Sequence, residues 1–258
     1  MPTAAGLHYF LHEGGSVLKP ALVLIHDAGG DQLSWPAEVR RLPDHRVITL
    51  DLPGHGKTGG PGCQSIEDYA RAVAEFEDAS GLSRAVFIGH GMGGAIALAM
   101  ALDYPHRVAG IGLIATGACL PIPPSLIENA ASQSTLPLAI KSLQEMSLGS
   151  QTSSNLNAIS FKRLAETRQP LLLGDLLACD RFNAAGRLAA IRTPVLVVCG
   201  TEDKLTPIRF SETLSSRIPG AALQTLEGAG HMLILEQPGR LAKLIRVFLA
   251  TIPYSPGG

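Results

Sequence analysis

The sequence predicts an α/β fold in which helices flank a mostly parallel central sheet, with a small helical insertion near the middle of the chain. Short, continuous apolar runs of strand length, such as ALVLI at 21–25 and PVLVVC at 194–199, alternate with segments of helical spacing. This alternation stops between about 116 and 191 and then resumes. A chain of 258 residues is long enough for one such domain with an insertion.

The elements before the insertion alternate regularly between strand and helix. Ser65 begins one of these helices, because Asp68 three residues later completes a capping-box pattern. The predicted strands are 21–25, 46–50, 85–88 and 111–114, and the intervening helical segments are 35–42, 66–76 and 95–102.

The region after about 116 has a different pattern, with a PIPPSL segment, a polar tract at 147–157 and short amphipathic pieces. A structureless loop of this length is uncommon inside a compact domain, so we expect a helical cap at 117–191. The core then comprises 1–116 and 192–258. In its second part we predict a strand at 194–199, a helix after Pro207, a strand at 222–226 and a final helix from Pro238.

The composition excludes several classes of function. A formal net charge of −1 provides no basic surface for nucleic acid or anionic membrane. The first residues lack a basic segment followed by an apolar one, and no apolar run approaches bilayer length, so we expect a cytoplasmic protein. The four cysteines form no C-x-x-C pair and have no histidine at ligand spacing, so we expect no metal, cofactor or disulfide framework.

The central motif is a glycine-dense turn between the strand at 85–88 and the helix at 95–102. Gly89, Gly91 and Gly94 match the G-x-G-x-x-G of dinucleotide-binding proteins. That function also requires an acidic residue at the tip of the next strand, which here ends in Ala115-Thr116, so we disfavour it. The same segment, GHGMGG, is similar to a nucleophile elbow, a sharp turn that normally carries serine where Gly91 stands.

A G-K-T sequence at 56–58 is a second apparent nucleotide motif. A phosphate-binding loop needs a glycine five positions before Gly56, and Asp51 occupies that place. We therefore exclude phosphate binding at this loop.

Two later residues complete a candidate catalytic set with the elbow. Asp203 and His231 each follow a predicted strand, and the chain order is nucleophile position, acid, histidine. The carboxyl ends of parallel strands meet at the edge of the sheet where active sites assemble. We predict a hydrogen bond in which Asp203 orients His231, with His231 facing the space above Gly91 as a general base.

The segments HDAGG, DLPGHGKT, GHGMGG, GTEDKLTP and GAGH together resemble the α/β-hydrolase fold superfamily, particularly its esterases and lipases with short helical caps. The resemblance implies a carboxylic ester hydrolase with a Ser-Asp-His triad acting on a small molecule. It also implies that the backbone N–H groups of Ala28 and Met92 form the oxyanion hole. By the same comparison His26, His55 and His90 are structural residues.

The sequence departs from the family pattern at Asp27, where glycine is usual, and at Gly91, which has no nucleophilic side chain. We expect Asp27 to point to solvent. Three interpretations of Gly91 stay open: a serine hydrolase inactivated by substitution, an enzyme in which His231 and Asp203 act directly on water or substrate, or a binding protein. The first predicts that Gly91→Ser alone restores activity. In each case we expect an apolar cavity near Gly91 for an acyl or aromatic group.

Overall fold

The computed structural model describes residues 2–16 and 19–253. Within these residues eight strands form a single sheet: β1 (Thr3–Ala4), β2 (Leu7–Glu13), β3 (Ala21–Ile25), β4 (Arg46–Leu50), β5 (Ala85–His90), β6 (Val108–Ile114), β7 (Val195–Gly200) and β8 (Ala222–Leu226). Their spatial order is β1-β2-β4-β3-β5-β6-β7-β8. The mostly parallel α/β architecture predicted from the sequence is confirmed.

The first two strands are antiparallel additions at one edge of the sheet, and the other six strands run parallel to one another. The predicted strands at 21–25, 46–50 and 222–226 match the structure residue for residue. β3, β5 and β6 are buried along their whole length, which explains their continuous apolar character. The sequence analysis assigned no strand to β1 or β2.

Helices cover both faces of the sheet. One face is covered by α2 (Ile66–Ser80), α3 (Met92–Asp103) and α8 (Ile208–Arg217), and the other by α1 (Ala37–Arg40), α9 (Leu233–Glu236) and α10 (Pro238–Leu249). The predicted helix at 35–42 is shorter than expected, because Pro36 immediately precedes α1 and Pro43 follows it.

Four further helices lie between β6 and β7, and we call them the inserted helices: α4 (Pro124–Ala130), α5 (Leu136–Ser147), α6 (Ser154–Ala165) and α7 (Gln169–Arg181). Apolar side chains of α4, α5 and α7 form a separate small core. These helices contribute one wall of the cavity described below. Among the described residues, every helix is too short or too polar to span a bilayer.

Candidate active site

The elbow is a one-residue turn between β5 and α3. Gly91 has φ +52° and ψ −115°, a left-handed conformation that glycine adopts without strain. The turn is tight, because a Cβ atom on Gly89 would overlap the backbone of Gly93. The carboxyl end of β5 therefore presents position 91 at the sheet edge, as the glycine-rich sequence predicts.

The carboxylate of Asp27 occupies the space in which a side chain at position 91 would lie. A Cβ atom on Gly91 would be 2.7 Å from Oδ2 of Asp27 and would overlap its Oδ1 and Cγ. The Asp27 side chain is only 24 % exposed. The expectation that Asp27 points to solvent is therefore wrong, since the glycine at 91 leaves a space that this carboxylate fills.

Asp27 is held in this position by two hydrogen bonds. The backbone N–H of Met92 donates to Oδ1 at 2.7 Å, and Nε2 of His231 donates to Oδ2 at 3.1 Å. Met92 N–H is one of the two groups that we predicted as oxyanion donors. In this structure the donor therefore binds a carboxylate of the protein itself.

The structure brings His231 and Asp203 together as the sequence analysis expects. Nδ1 of His231 donates to Oδ2 of Asp203 at 3.0 Å. The other oxygen of Asp203 accepts the backbone N–H groups of Leu205 and Thr206 at 2.9 and 2.8 Å, and the Thr206 hydroxyl donates to Oδ2 at 2.6 Å. These bonds fix the orientation of the carboxylate and, through it, that of the imidazole.

His231 therefore lies between two carboxylates, a feature absent from the sequence prediction. Burial acts to lower the pKa of His231, but the charges and hydrogen bonds of Asp203 and Asp27 outweigh it and raise the pKa to about 10. Burial acts to raise the pKa of Asp27, but the hydrogen bond from His231 outweighs it and holds the pKa well below its usual range. The resting site at neutral pH is thus an imidazolium between two ionised carboxylates.

His90, which precedes the elbow, is fully buried beside His231. Its Nε2 donates to the backbone carbonyl of His231 at 2.9 Å. Its Nδ1 has no hydrogen-bond partner among the described residues. Burial lowers the pKa of His90, so the ring is neutral.

His26 and His55 have hydrogen-bond partners in the surrounding loops. Nδ1 of His26 donates to the backbone carbonyl of Asp27 at 2.8 Å, and the N–H of Leu52 donates to Nε2. Nε2 of His55 lies 2.8 Å from Oδ2 of Asp175. These contacts support the structural roles implied by the family resemblance.

Asp175 on α7 is a residue that the sequence analysis missed. It is fully buried and accepts hydrogen bonds from the Tyr69 hydroxyl at 2.6 Å and from the backbone N–H of Gly29 at 2.8 Å, besides its contact with His55. It therefore joins the inserted helices to two loops of the core. The available signal was a single carboxylate within the otherwise apolar run LLLGDLLAC.

A cavity of about 190 Å³ opens beside the elbow, bounded by Gly91, Met92, Asp27 and His231. Met146 of α5 lines it, whereas Leu138 of the same helix is 55 % exposed. Most of the remaining wall is apolar and includes Leu120, Ile122, Leu143, Leu176 and Phe210.

Comparison with known proteins supports the same family. Residues 20–238 match the family model described as alpha/beta hydrolase fold. The pimeloyl-[acyl-carrier protein] methyl ester esterase of Aromatoleum aromaticum is 33 % identical over 88 % of this chain and 97 % of its own length. A putative carbamate hydrolase of Agrobacterium fabrum is 27 % identical over 90 % of this chain and 94 % of its own.

Solved structures give a consistent result. A hydrolase from Pseudomonas aeruginosa superposes with a TM-score of 0.85 at 26 % identity, covering 95 % of this chain and 94 % of that one. The enol-lactonase of Burkholderia xenovorans has a TM-score of 0.87 at 24 % identity, covering 95 % of this chain and 96 % of its own, a likeness of fold alone.

Proposed function

The chain belongs to the α/β-hydrolase family, and on that basis we propose that it hydrolyses small carboxylic esters without a serine nucleophile. The observation that carries the proposal is the carboxylate of Asp27 in the side-chain space of position 91, in contact with His231 and Met92. Attack on the substrate is then made by water and not by the protein.

The two departures from the family pattern are sterically complementary, and this supports a rearranged site. Without a side chain at Gly91 there is room for Asp27, and Asp27 in turn leaves no room for a serine at 91. A serine hydrolase inactivated only by substitution at 91 would retain space for the missing side chain. We therefore favour the interpretation in which the histidine and its carboxylates act directly.

The proposed reaction uses Asp27 and His231 as a base and an acid. Water attacks the ester carbonyl above Gly91 and transfers a proton to Oδ2 of Asp27, while Nε2–H of His231 protonates the departing alcohol oxygen. Asp27 loses its charge as charge develops on the carbonyl oxygen, which weakens its bond to the N–H of Met92, so that this N–H can turn to the developing oxyanion together with that of Ala28. Transfer of the proton from Asp27 to His231, 3.1 Å away, restores the resting state.

The cavity beside the elbow supports a substrate with an apolar acyl or aromatic part. Its apolar wall comes from the inserted helices, from the segment that precedes α4 and from the core near Leu205 and Phe210. We propose that the inserted helices act as the cap over the site. Lys204 and Arg209 also border the cavity and are exposed. A short or medium acyl chain against the apolar wall, with its carbonyl at Gly91, fits this distribution.

The test is hydrolysis of p-nitrophenyl acetate and butyrate by the wild-type chain and by His231→Gln and Asp27→Asn. We expect turnover above background that falls by about 10²-fold or more in each variant, because each removes a proton-transfer group. His106→Gln, at an exposed position, is the control and retains the wild-type rate.

A fluorophosphonate probe adds a second readout, and we expect it to label no residue of the elbow. Absence of turnover on the ester panel, or turnover unaffected by both variants, would reject the proposed hydrolysis and favour a binding protein on the same fold.

A further inference from the structure

Asp27, His90 and His231 form a cluster that the proposed proton transfers use only in part. The geometry points to a divalent transition-metal site, suited to Zn²⁺, with one oxygen of Asp27 and one ring nitrogen of each histidine as ligands. The role that we assign to the ion rests on the proposed function, whereas its binding does not.

The spacing of the ligand atoms suits a single ion after a small adjustment. One oxygen of Asp27 and one nitrogen of each histidine all lie within 4.8 Å of one another, and the contact of Asp27 with His231 is 3.1 Å. Ligands at about 2.0–2.1 Å from Zn²⁺ are separated by roughly 3.0–3.5 Å. A shift of about 1 Å by the partly exposed Asp27 side chain and the His90 ring would bring the cluster to that spacing.

The hydrogen bonds of His90 leave it in the state required of a ligand. A backbone carbonyl can only accept a hydrogen bond, so Nε2 of His90, which contacts the carbonyl of His231, carries the ring proton. Nδ1 of the neutral ring then has a free lone pair, and it is buried with no partner among the described residues. Unpaired polar atoms in such positions are unusual, and a bound cation would satisfy this one.

The other two residues also have the outer contacts typical of metal ligands. His231 directs Nδ1–H to the carboxylate of Asp203, and Nε2 joins the cluster once its proton is released to solvent on metal binding. Oδ1 of Asp27 is held by the N–H of Met92. Ligating histidines usually donate their second ring nitrogen to a carboxylate or a backbone carbonyl, and both arrangements occur here.

The neighbouring histidines provide a contrast. His26 and His55 are also buried with rings 4.7 Å apart, but both nitrogens of each ring already contact protein atoms. The sequence analysis expected no metal because it considered only cysteine pairs and histidines close to the cysteines in the chain. The three proposed ligands come from separate loops, and only the fold brings them together.

The position of the cluster indicates what the ion would do. Asp27 and His231 border the cavity beside Gly91, so three protein ligands would leave a coordination position for water facing the substrate. With zinc bound, Asp27 and His231 would be ligands and would no longer transfer protons. A water molecule on Zn²⁺ would instead lose a proton to solvent near neutral pH, and the resulting hydroxide would attack the ester carbonyl. The acyl–oxygen bond then breaks, and the alcohol leaves with a proton from solvent.

The experiment is calorimetric titration of the chelator-treated full chain with ZnCl₂, for the wild type, Asp27→Asn, His90→Gln and the control His106→Gln. We expect one Zn²⁺ per wild-type chain and per control chain, with affinity reduced about tenfold or more by each ligand substitution. Co²⁺ provides a second measurement, because its ligation by two imidazoles gives visible absorption bands. We expect Asp27→Asn to weaken these bands, and this result does not depend on whether His90→Gln folds.

Absence of binding at millimolar Zn²⁺, or affinity unchanged by either ligand substitution, overturns the site. The binding result is independent of catalysis. Zinc binding without ester hydrolysis would reject the proposed function and retain the metal site. If the chain binds no zinc and a chelator does not reduce its ester hydrolysis, the metal site is rejected and the proposed function is retained.

Discussion

Restoring a serine at the elbow is expected to require two substitutions. In Gly91→Ser the new Cβ overlaps the Asp27 carboxylate, which must leave its bonds to Met92 and His231. Hydrogen bonds to charged groups contribute about 1.5–3 kcal/mol each, so the loss is about 3 kcal/mol or more. For a chain of this size that lowers Tm by roughly 6–12 °C.

In the double variant Asp27→Gly with Gly91→Ser, the carboxylate no longer occupies the space of the serine. The hydroxyl then lies next to Nε2 of His231, and the Met92 N–H is free for an oxyanion. Loss of the nucleophile in serine proteases costs about 10⁶-fold in kcat, while the remaining groups retain about 10³–10⁴-fold over water. We expect the double variant to hydrolyse p-nitrophenyl butyrate roughly 10³-fold faster than Asp27→Gly alone.

The assay combines ester hydrolysis with fluorophosphonate labelling, and mass spectrometry locates the adduct. Labelling at residue 91 is expected in the double variant and absent from the wild type and from Asp27→Gly. The single variant Gly91→Ser should show the lower Tm and little labelling. The reasoning is refuted if Gly91→Ser alone is as stable as the wild type and as active as the double variant, because Asp27 would then not occupy the serine position.

Three further predictions concern the surroundings of the site. Thr206→Val removes the hydroxyl bonded to Asp203 and should lower kcat for p-nitrophenyl butyrate about tenfold with KM unchanged; a raised KM alone contradicts a positioning role. Asp175→Asn weakens three buried hydrogen bonds between α7 and the core and should cost about 2 kcal/mol in urea unfolding, and an unchanged midpoint argues against this anchor. Glu77 is buried, and neither of its carboxylate oxygens has a hydrogen-bond partner within residues 2–16 and 19–253. Burial raises its pKa from 4.5 to about 8. The folded chain thus retains a proton that the unfolded chain loses, so the unfolding free energy falls as pH rises from 4.5 to 8, by up to about 5 kcal/mol from this group. Glu77→Gln should abolish this decrease in unfolding free energy between pH 4.5 and 8. The same pH dependence in the wild type and the variant would exclude Glu77 as its source.

Most of the fold could be predicted because parallel strands buried on both faces have a simple sequence pattern. β3, β4 and β8 were located to the residue, and the elbow was recognised from its glycines. β2 was missed because it lies next to the edge strand β1 and its side chains are largely half-exposed, so LHYFLHE has no continuous apolar run. Helix α1 was predicted too long because the apolar spacing begins at Trp35, before Pro36, and extends to Leu42, next to Pro43.

The site was less predictable, for a physical reason. The contact between Asp203 and His231 could be predicted because each follows a core strand. The direction of the Asp27 side chain, in contrast, depends on empty space created 64 residues later by Gly91. The free nitrogen of His90 is likewise a property of its hydrogen bonds and not of its spacing. Asp27 and Gly91 were each visible in the sequence as departures from the family pattern. The fit of the Asp27 carboxylate into the space at Gly91 became visible only in the fold.

The central claim, that water attacks the substrate directly at a site where a carboxylate replaces serine, is tested most directly by a single turnover in H₂¹⁸O with enzyme in excess of p-nitrophenyl butyrate. We predict that ¹⁸O appears in the butyrate product during that first turnover and that the tryptic peptide containing Asp27 keeps its ordinary mass. Incorporation of ¹⁸O into Asp27, or an acylated protein residue trapped by acid quench, would contradict the account.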